Sequence, residues 1–560
     1  MDPVTIIGLV QTCYLAGVKV IEICSAWKNA ATEVQSRVIA VEACWHKTQL
    51  QVKLVGNITS LMGAELSQMM DEILRELFHK LSEAASTLQN VIQRASTSKP
   101  NVFRFRFRAK AAWVWEKEAL DSVICDLEEW QRRYDPTWFL VIKLASPLVD
   151  VELAKAAAAE PKIQGVPTAA RNPLALAERV RKVQSPTTEQ MKSVFLPSSD
   201  MEWMDIPFSE AKGGRRPQEA RWYIVDTIEV GEAARVRDVA QDVRVLAAKL
   251  AQADPLAFGL LNCKGAIPLR QQPVSQPAAQ NAELTAPAPP SRARSRSPGP
   301  GQNDYTHFQI IFRIPDGIQL EDLQSLRQLL LNSDAQMSLS RKVHMARELS
   351  KAVHYVHTLA FVHKNIRPES VLCCEVPEGT GTRSHSFLVG FDAFRAVDAG
   401  SLMGGDMSWA GNVYRHPSRQ GADPSQKYKM YHDIYSLGVC LLEIGLWESF
   451  VEYEDTQGTG GASRAKFGKT YNDFGAWCQR QKLAPSFDAV ATGLKEYLVE
   501  QAKTRLAPRM GDRYSQVVAA CLTCLDDDND SFGGPEEQGE GHVAVQFVEV
   551  VLKTLDKICV

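Results

Sequence analysis

The sequence predicts a multidomain protein in which an all-α helical bundle precedes an α+β domain. A chain of 560 residues is longer than a single hydrophobic core usually supports. Apolar residues recur every three to four positions in the first part of the chain, and strand-like segments appear only later. We therefore expect a bundle at residues 1–155, a linker at 156–200 and an α+β domain at 201–560.

The helical bundle is predicted by apolar residues at helical spacing in a region where Gly and Pro are sparse. Burying these faces against one another requires several packed helices. The groups that show the spacing are Val20, Ile21, Cys24 and Trp27; Leu61, Met69, Ile73, Leu77 and Leu81; and Leu120, Val123, Ile124, Leu127 and Trp130.

Two segments have the composition of linkers. Residues 156–200 combine an alanine run with several Pro and Ser residues. Residues 270–303 contain P-A-P-P, S-R-A-R-S-R-S and P-G-P-G. The second segment has too little apolar surface to offset the entropy of ordering, so it is predicted to be a disordered insert in the α+β domain.

Charge and cysteine content favour a cytoplasmic protein. The formal net charge of −3 gives no overall attraction to nucleic acid, and no nucleic-acid partner is expected. The 12 cysteines are scattered, and Cys521 and Cys524 form one C-x-x-C without the second pair that a zinc site needs. Free thiols in a reducing compartment are the favoured interpretation, and no metal site is predicted.

An alternation of aromatic and basic residues occupies Phe103–Arg108. One interpretation is an aromatic and basic patch for nucleic acid or anionic lipid. The favoured interpretation is a loop whose Phe side chains cover the bundle while the Arg side chains remain in solvent.

The first 18 residues include an uncharged stretch, Pro3–Val18, with no Lys or Arg before it. The missing basic start argues against a signal peptide, and no apolar run reaches the 18 residues of an ordinary spanning helix. The stretch is either a buried first helix or a segment that enters a membrane surface. The second alternative predicts membrane contact through residues 3–24, with protein partners expected in both cases.

Strands and helices are also predicted within the α+β domain. The predicted strands are His307–Ile314 and Phe387–Val389, and the predicted helices are Ser340–Leu359, Asp433–Leu446 and Val543–Ile558.

The stretch from His363 to Ser370, H-K-N-I-R-P-E-S, resembles the catalytic loop of protein kinases, H-R-D-L-x-x-x-N. In that family the Asp accepts the proton of the substrate hydroxyl and the Asn holds magnesium. Asn365 stands at the Asp position and Ser370 at the Asn position, with Arg367 between them. The resemblance therefore implies a kinase loop without its base and without one metal ligand.

The triplet Gly390-Phe391-Asp392 resembles the metal-binding D-F-G of the same family. Its first position holds Gly390, which has no side chain to bind a metal. Asp392 comes two residues late, and it is expected to point elsewhere unless the backbone bulges.

Three structural residues extend the resemblance. Pro417 lies in R-H-P-S, which is similar to the A-P-E that ends the activation segment, with Ser418 in place of the Glu. Asp433 opens D-I-Y-S-L-G, similar to the element whose Asp braces the catalytic loop. Arg513 is similar to the late Arg that pairs with the missing Glu, a pairing that Ser418 puts in doubt.

The resemblance implies a bilobal protein kinase-like fold over residues 201–560. The resemblance implies a strand at Ala220–Val230, the regulatory helix at Asp238–Ala251 and the next strand at Phe258–Cys263. The first of these would carry the phosphate-binding Lys, but no Lys lies between Lys212 and Lys249, and no G-x-G-x-x-G precedes it. These losses predict a pseudokinase with a signalling or regulatory role. Two alternatives stay open: an atypical active ATP-dependent Ser/Thr kinase that uses Asp392 for Mg²⁺ and His363 or Glu369 as the base, and a non-catalytic scaffold. Binding of ATP and Mg²⁺ without turnover also stays open.

The N-terminal part resembles the HeLo-type domains of fungal incompatibility and prion-inhibition proteins. The resemblance rests on the uncharged opening segment, the A-V-E-A-C-W helix at Ala40–Trp45 and W-V-W-E-K-E-A-L-D-S-V-I-C-D-L-E-E-W near the end. It implies a bundle whose first helix can be released into a bilayer, which would make the protein membrane-associated on activation.

Overall fold

The computed structural model describes residues 3–25, 32–96, 119–127, 130, 149–158, 193–230, 236–270, 305–332, 337–378, 381–396, 407–454, 464–529, 531–532 and 540–558. The Phe103–Arg108 alternation lies outside these residues. So do most of the predicted linker and, apart from Arg270, the predicted insert.

The N-terminal region is helical, as the spacing of its apolar residues predicts. Its helices are α1 Pro3–Ser25, α2 Thr32–Ile58, α3 Ala64–Ser96 and α4 Val149–Ala158, and residues 119–127 are helical as well. Helix α1 packs against both α2 and α3. The buried residues of α1 repeat at intervals of three, four or seven, so they form one stripe along the helix: Ile6, Cys13, Gly17, Val20 and Cys24.

The close packing of α1 on α2 depends on a glycine. A Cβ atom at Gly17 would lie 2.1 Å from the ring of Trp45, which is 5% exposed.

The opposite face of α1 exposes Val4, Ile7 and Leu15. The window Val4–Ser25 has a mean hydropathy of 1.7, and it is the one helix among the described residues that is long and apolar enough to cross a membrane. Its charged residues, Lys19 and Glu22, end the uncharged stretch seen in the sequence.

The C-terminal region begins with a five-stranded antiparallel sheet in the order β1-β2-β3-β5-β4. Its strands are β1 Glu202–Asp205, β2 Lys212–Arg215, β3 Tyr223–Glu229, β4 Asn262–Arg270 and β5 Tyr305–Arg313. Helix α5, Val236–Leu250, packs on the sheet through a buried face that includes Val243, Leu246 and Leu250.

The predicted strand Phe258–Cys263 is wrong in its first half. Residues Pro255–Phe258 form a short helix, α6, because the Asp254 side chain accepts hydrogen bonds from the backbone N–H groups of Leu256 and Ala257. Gly259 then ends the helix in the left-handed conformation, and β4 starts only at Asn262.

The rest of the C-terminal region is mainly helical with short strands. Helix α10 is buried at every position, which agrees with the apolar segment predicted from Asp433, although it starts earlier at Met430. The helices are α7 Leu326–Leu331, α8 Leu339–Thr358, α9 Trp409–Asn412, α10 Met430–Leu446, α11 Lys469–Gln481, α12 Phe487–Gln501, α13 Ala507–Met510, α14 Asp512–Leu522, α15 Glu540–Phe547 and α16 Lys553–Asp556, with π-helical turns at Ala502–Leu506 and Val548–Leu552. The strands are β6 Gln324–Ser325, β7 Phe361–Val362, β8 Val371–Glu378, β9 Gly381–Leu388, β10 Arg395–Ala396, β11 Val451–Tyr453 and β12 Ala465–Phe467.

Candidate functional site: an acidic cleft beside the His363 loop

The loop that starts at His363 is held by a buried carboxylate on α10. Asp433 accepts hydrogen bonds from the backbone N–H of His363 at 2.8 Å and of Lys364 at 2.9 Å, and from the hydroxyl of Tyr428 at 2.8 Å. Burial alone would raise the pKa of Asp433, but the contact with His357 at 3.0 Å and these N–H groups lower it. Asp433 is therefore a fixed anion that sets the loop backbone.

His363 lies under the loop rather than in the cleft. It is fully buried, burial lowers its pKa, and its ring centroid lies 4.7 Å from that of Phe391. The structure thus brings together His363 and Phe391, two of the residues singled out in the sequence. A neutral imidazole packed against a phenyl ring supports the loop and does not reach solvent.

Asn365 faces two carboxylates. Its Nδ2 atom donates a hydrogen bond to Asp392 Oδ1 at 2.7 Å and another to Glu210. The expectation that Asp392 points elsewhere is wrong. Gly390 takes a φ of +80°, and the following 3-10 turn, Phe391–Ala393, carries Asp392 back to Asn365. The alternative of a backbone deviation at this position is the one observed.

Gly390 has no room for a side chain. A Cβ atom there would lie 2.9 Å from the Cβ atom of Ser370 and 3.2 Å from Glu210 Oε2. Ser370 turns to its own backbone, where its hydroxyl donates to the Arg367 carbonyl at 2.9 Å and accepts from the Arg367 N–H at 3.1 Å. Ser370 therefore closes the turn of the loop.

Sequence reasoning did not identify Glu210 as a site residue, because it reaches the loop from the segment between β1 and β2. It forms an ion pair with Arg367 in addition to its hydrogen bond with Asn365. The segment is fixed by a 2.7 Å hydrogen bond from Ser325 Oγ to the Pro207 carbonyl and by ring contact between Phe208 and Tyr453 at 4.9 Å. A contact across 155 residues of sequence leaves no periodic signal.

Asp226 on β3 is the second residue that sequence reasoning missed. Its Oδ2 atom accepts hydrogen bonds from the N–H groups of Gly390 at 2.8 Å and Phe391 at 3.2 Å. Its Oδ1 atom is buried and has no hydrogen-bond partner among the described residues. Burial, together with the charge of Asp392, raises the pKa of Asp226 to about 7, against the effect of the two N–H groups. The one available signal was an Asp within the apolar strand Y-I-V-D-T-I.

These residues line a cavity of about 300 Å³, which we call the acidic cleft. Its lining comprises Glu210, Asp226, Thr227, Glu229, Gly390 and Asp392. No group of three or more His, Cys, Asp or Glu among the described residues is arranged to hold a metal ion. Because four carboxylates share this space, the cleft disfavours phosphate groups and favours cations.

Below the cleft, Arg327 forms a buried ion network that the sequence did not reveal. The guanidinium donates to Glu369 Oε1 at 3.0 Å and to Glu443 Oε1 at 3.2 Å, and Tyr414 donates to Glu443 Oε2 at 2.9 Å. Burial opposes ionisation of Glu369, but Arg327 and Arg367 lower its pKa below the usual value. Glu369 is thus held as a structural anion.

The pairing of Arg513 with the Pro417 segment, which Ser418 put in doubt, is not among the described contacts. Pro417 opens a 3-10 turn, Pro417–Arg419, and the Ser418 hydroxyl lies 2.8 Å from His416 Nδ1 and 3.2 Å from His432 Nε2. Arg513 donates instead to the carbonyl of Lys557 at 2.8 Å. With Ser418 in place of a carboxylate, no charge attracts Arg513 to this turn.

No protein-family model matches this chain, and no curated protein matches it.

Proposed function

We propose that residues 201–560 form a protein kinase-like domain of bilobal α+β architecture that does not transfer phosphate and acts as a signalling or regulatory module, a pseudokinase. In this proposal the N-terminal helical region is the arm that contacts a protein partner or a membrane. The protein would be cytoplasmic and would associate with a membrane when activated.

The proposal rests chiefly on Asp226. In kinases a Lys on the third strand of the sheet pairs with the phosphates of ATP. Here β3 carries a carboxylate in the cleft, and its Oδ2 atom holds the backbone of Gly390 and Phe391. A carboxylate repels phosphate, so the cleft opposes the binding of ATP where a kinase favours it.

The remaining catalytic positions support the same proposal. Asn365 is an amide, which cannot take up the proton of a substrate hydroxyl, and its Nδ2 donates to Asp392 and Glu210. Glu210 comes from the segment between β1 and β2, where kinases have the Gly-rich loop that covers the phosphates. Loss of one charge-stabilising group commonly costs about 10²–10³ in rate, so several losses together oppose phosphoryl transfer.

Nucleotide binding and phosphate transfer test this proposal. We expect the full chain to show no change in Tm with ATP, with or without Mg²⁺, and no transfer of radiolabelled phosphate to itself or to a generic substrate. An active kinase serves as the positive control. Phosphate transfer that disappears in an Asp392→Ala variant would support the atypical active kinase instead.

Membrane contact by α1 is supported by its exposed apolar residues. Val4 is 70% exposed and Leu15 is 60% exposed. Burying such side chains in a bilayer is favourable by roughly 25 cal/mol per Å² of apolar surface.

We expect the full chain to bind vesicles that contain anionic lipid, and Leu15→Glu to weaken that binding. Gln11→Glu adds the same charge to an exposed polar position of α1 and should have a smaller effect. Equal binding by the two variants would contradict a role for this face.

A further inference from the structure

We propose that the acidic cleft binds an organic cation, an ammonium or guanidinium group whose N–H donors reach Asp226 and Asp392. Neither carboxylate has an ion pair among the described contacts, and the one partner described for Asp392 is the neutral amide of Asn365. Arg367 pairs with Glu210, on the other side of Asn365. The cleft therefore holds more negative charge than the described residues neutralise.

The Asp226 Oδ1 atom is the observation that points to a ligand. Asp226 is 1% exposed and lines the cleft, and its Oδ1 has no hydrogen-bond partner among the described residues, although its Oδ2 receives two hydrogen bonds. A buried carboxylate oxygen without a donor costs free energy that a bound N–H group would recover. Hydrogen bonds between a charged donor and a carboxylate are about twice as strong as neutral ones.

The size of the cleft favours an organic cation over a metal ion. A volume of about 300 Å³ exceeds what a bare ion needs and lies at the lower end of small-molecule pockets. Glu229, whose side chain is 82% exposed, and the exposed Asp392 give the ligand a route from solvent. The described carboxylates also lack the grouping that a metal site requires.

The cation has two sources: a free amine, or an Arg or Lys side chain of a protein. Titration calorimetry on the full chain distinguishes them with agmatine and spermidine in one arm and a capped Ala-Arg-Ala peptide in the other. Tetramethylammonium at matched ionic strength is the control, because it carries the charge without an N–H donor. Binding in either arm, with no binding of tetramethylammonium, supports the proposal.

Two variants connect binding to the cleft. Asp226→Asn keeps an acceptor for Gly390 and Phe391 but removes the charge, and we expect it to weaken agmatine binding about tenfold or more. Asp392→Asn changes an exposed residue, so it tests the cleft even if the first variant folds poorly. Glu321→Gln removes an exposed carboxylate outside the cleft lining and should bind as the unsubstituted chain does.

Three results would overturn the proposal. They are no binding of agmatine, spermidine or peptide at millimolar concentration; equal affinity in Asp226→Asn, Asp392→Asn and Glu321→Gln; and binding of Mg²⁺ or Mn²⁺ alone that depends on Asp226. The inference does not depend on the signalling role. Phosphate transfer would contradict the proposed function, whereas failure of all cations would contradict only this site.

Discussion

Asp226 in the acidic cleft and Glu369 and Glu443 in the Arg327 network are all buried, but among the described contacts only the two network carboxylates pair with a cation. Glu369 and Glu443 share the guanidinium of Arg327, which is fully buried; the pKa of Glu369 is lowered, whereas burial raises the pKa of Glu443. Asp226 is equally buried and receives only two backbone N–H groups, and burial raises its pKa to about 7. A buried carboxylate is therefore held as an anion at Glu369, whereas at Asp226 burial favours the protonated acid.

This difference separates a carboxylate that stabilises the fold from a carboxylate that can bind a ligand. A buried ion pair is costly to disrupt but offers no ligand a place, because its charges already satisfy each other. A buried carboxylate with a free oxygen destabilises the fold, and such a group persists where a ligand or a function requires it. Substitutions on either side of this comparison test it.

Removing the cation of the network should have the largest effect. Arg327→Met leaves Glu369 and Glu443 buried without their shared partner, and we expect the free energy of unfolding to fall by about 3–5 kcal/mol. Urea denaturation measures it. The control is Arg221→Met, since Arg221 pairs with Asp316, whose side chain is 99% exposed, and exposed pairs contribute about 1 kcal/mol or less. Similar losses of unfolding free energy in both variants would show that the buried network contributes no more than an exposed ion pair.

Asp433 tests a buried carboxylate whose partners are mainly N–H and O–H donors. Asp433→Asn should lower the free energy of unfolding by about 2–3 kcal/mol, because hydrogen bonds to a charged acceptor are lost. The amide protons of His363 and Lys364 should also exchange faster with solvent. Asp316→Asn, at an exposed position, should leave both readouts unchanged. Unaltered exchange at Lys364 would contradict the assigned role of Asp433.

Gly390 tests the backbone that presents Asp392 to the cleft. Gly390→Ala should cost about 2 kcal/mol, because φ is +80° and the new Cβ would lie 2.9 Å from that of Ser370. Gly317→Ala is a matched control, since Gly317 has a φ of +89° and open space around it. Thermal unfolding of both separates crowding from backbone strain. An equal change in Tm would mean that crowding at Gly390 is unimportant.

Substitution of Asp226 should change stability with the opposite sign. Its pKa is about 4 in the unfolded chain and about 7 in the fold, so between these pH values the fold retains a proton that the unfolded chain releases. The stability of the unsubstituted chain therefore falls as pH rises across this window. Asp226→Asn removes this effect and should be more stable than the unsubstituted chain at pH 8, with little difference at pH 4.

Urea denaturation at both pH values measures this difference. Glu321→Gln, which changes an exposed carboxylate, should show no gain at either pH. A destabilised Asp226→Asn variant at pH 8 would mean that the charge of Asp226 is compensated in the fold, and the comparison with the Arg327 network would fail.

The sequence predicted what depends on local pattern. The helical N-terminal region, the order of helix and strand in the C-terminal region and the buried helix that contains Asp433 follow from periodicity and composition. The error at Phe258–Cys263 has a local cause, because the Asp254 cap and Gly259 enclose a short helix in an apolar segment. The resemblance also singled out Asn365 and Asp392 without giving their contact.

Only the tertiary structure decided which charges meet. Glu210 joins Asn365 across 155 residues, and Arg327 joins Glu443 across 116, so no local pattern records either contact. The sequence by itself determined which side chains are present and where helices and strands form, because those depend on neighbours in the chain. Whether a carboxylate becomes a stable anion or an unsatisfied acid depends on burial and on the nearest donor, which folding alone supplies.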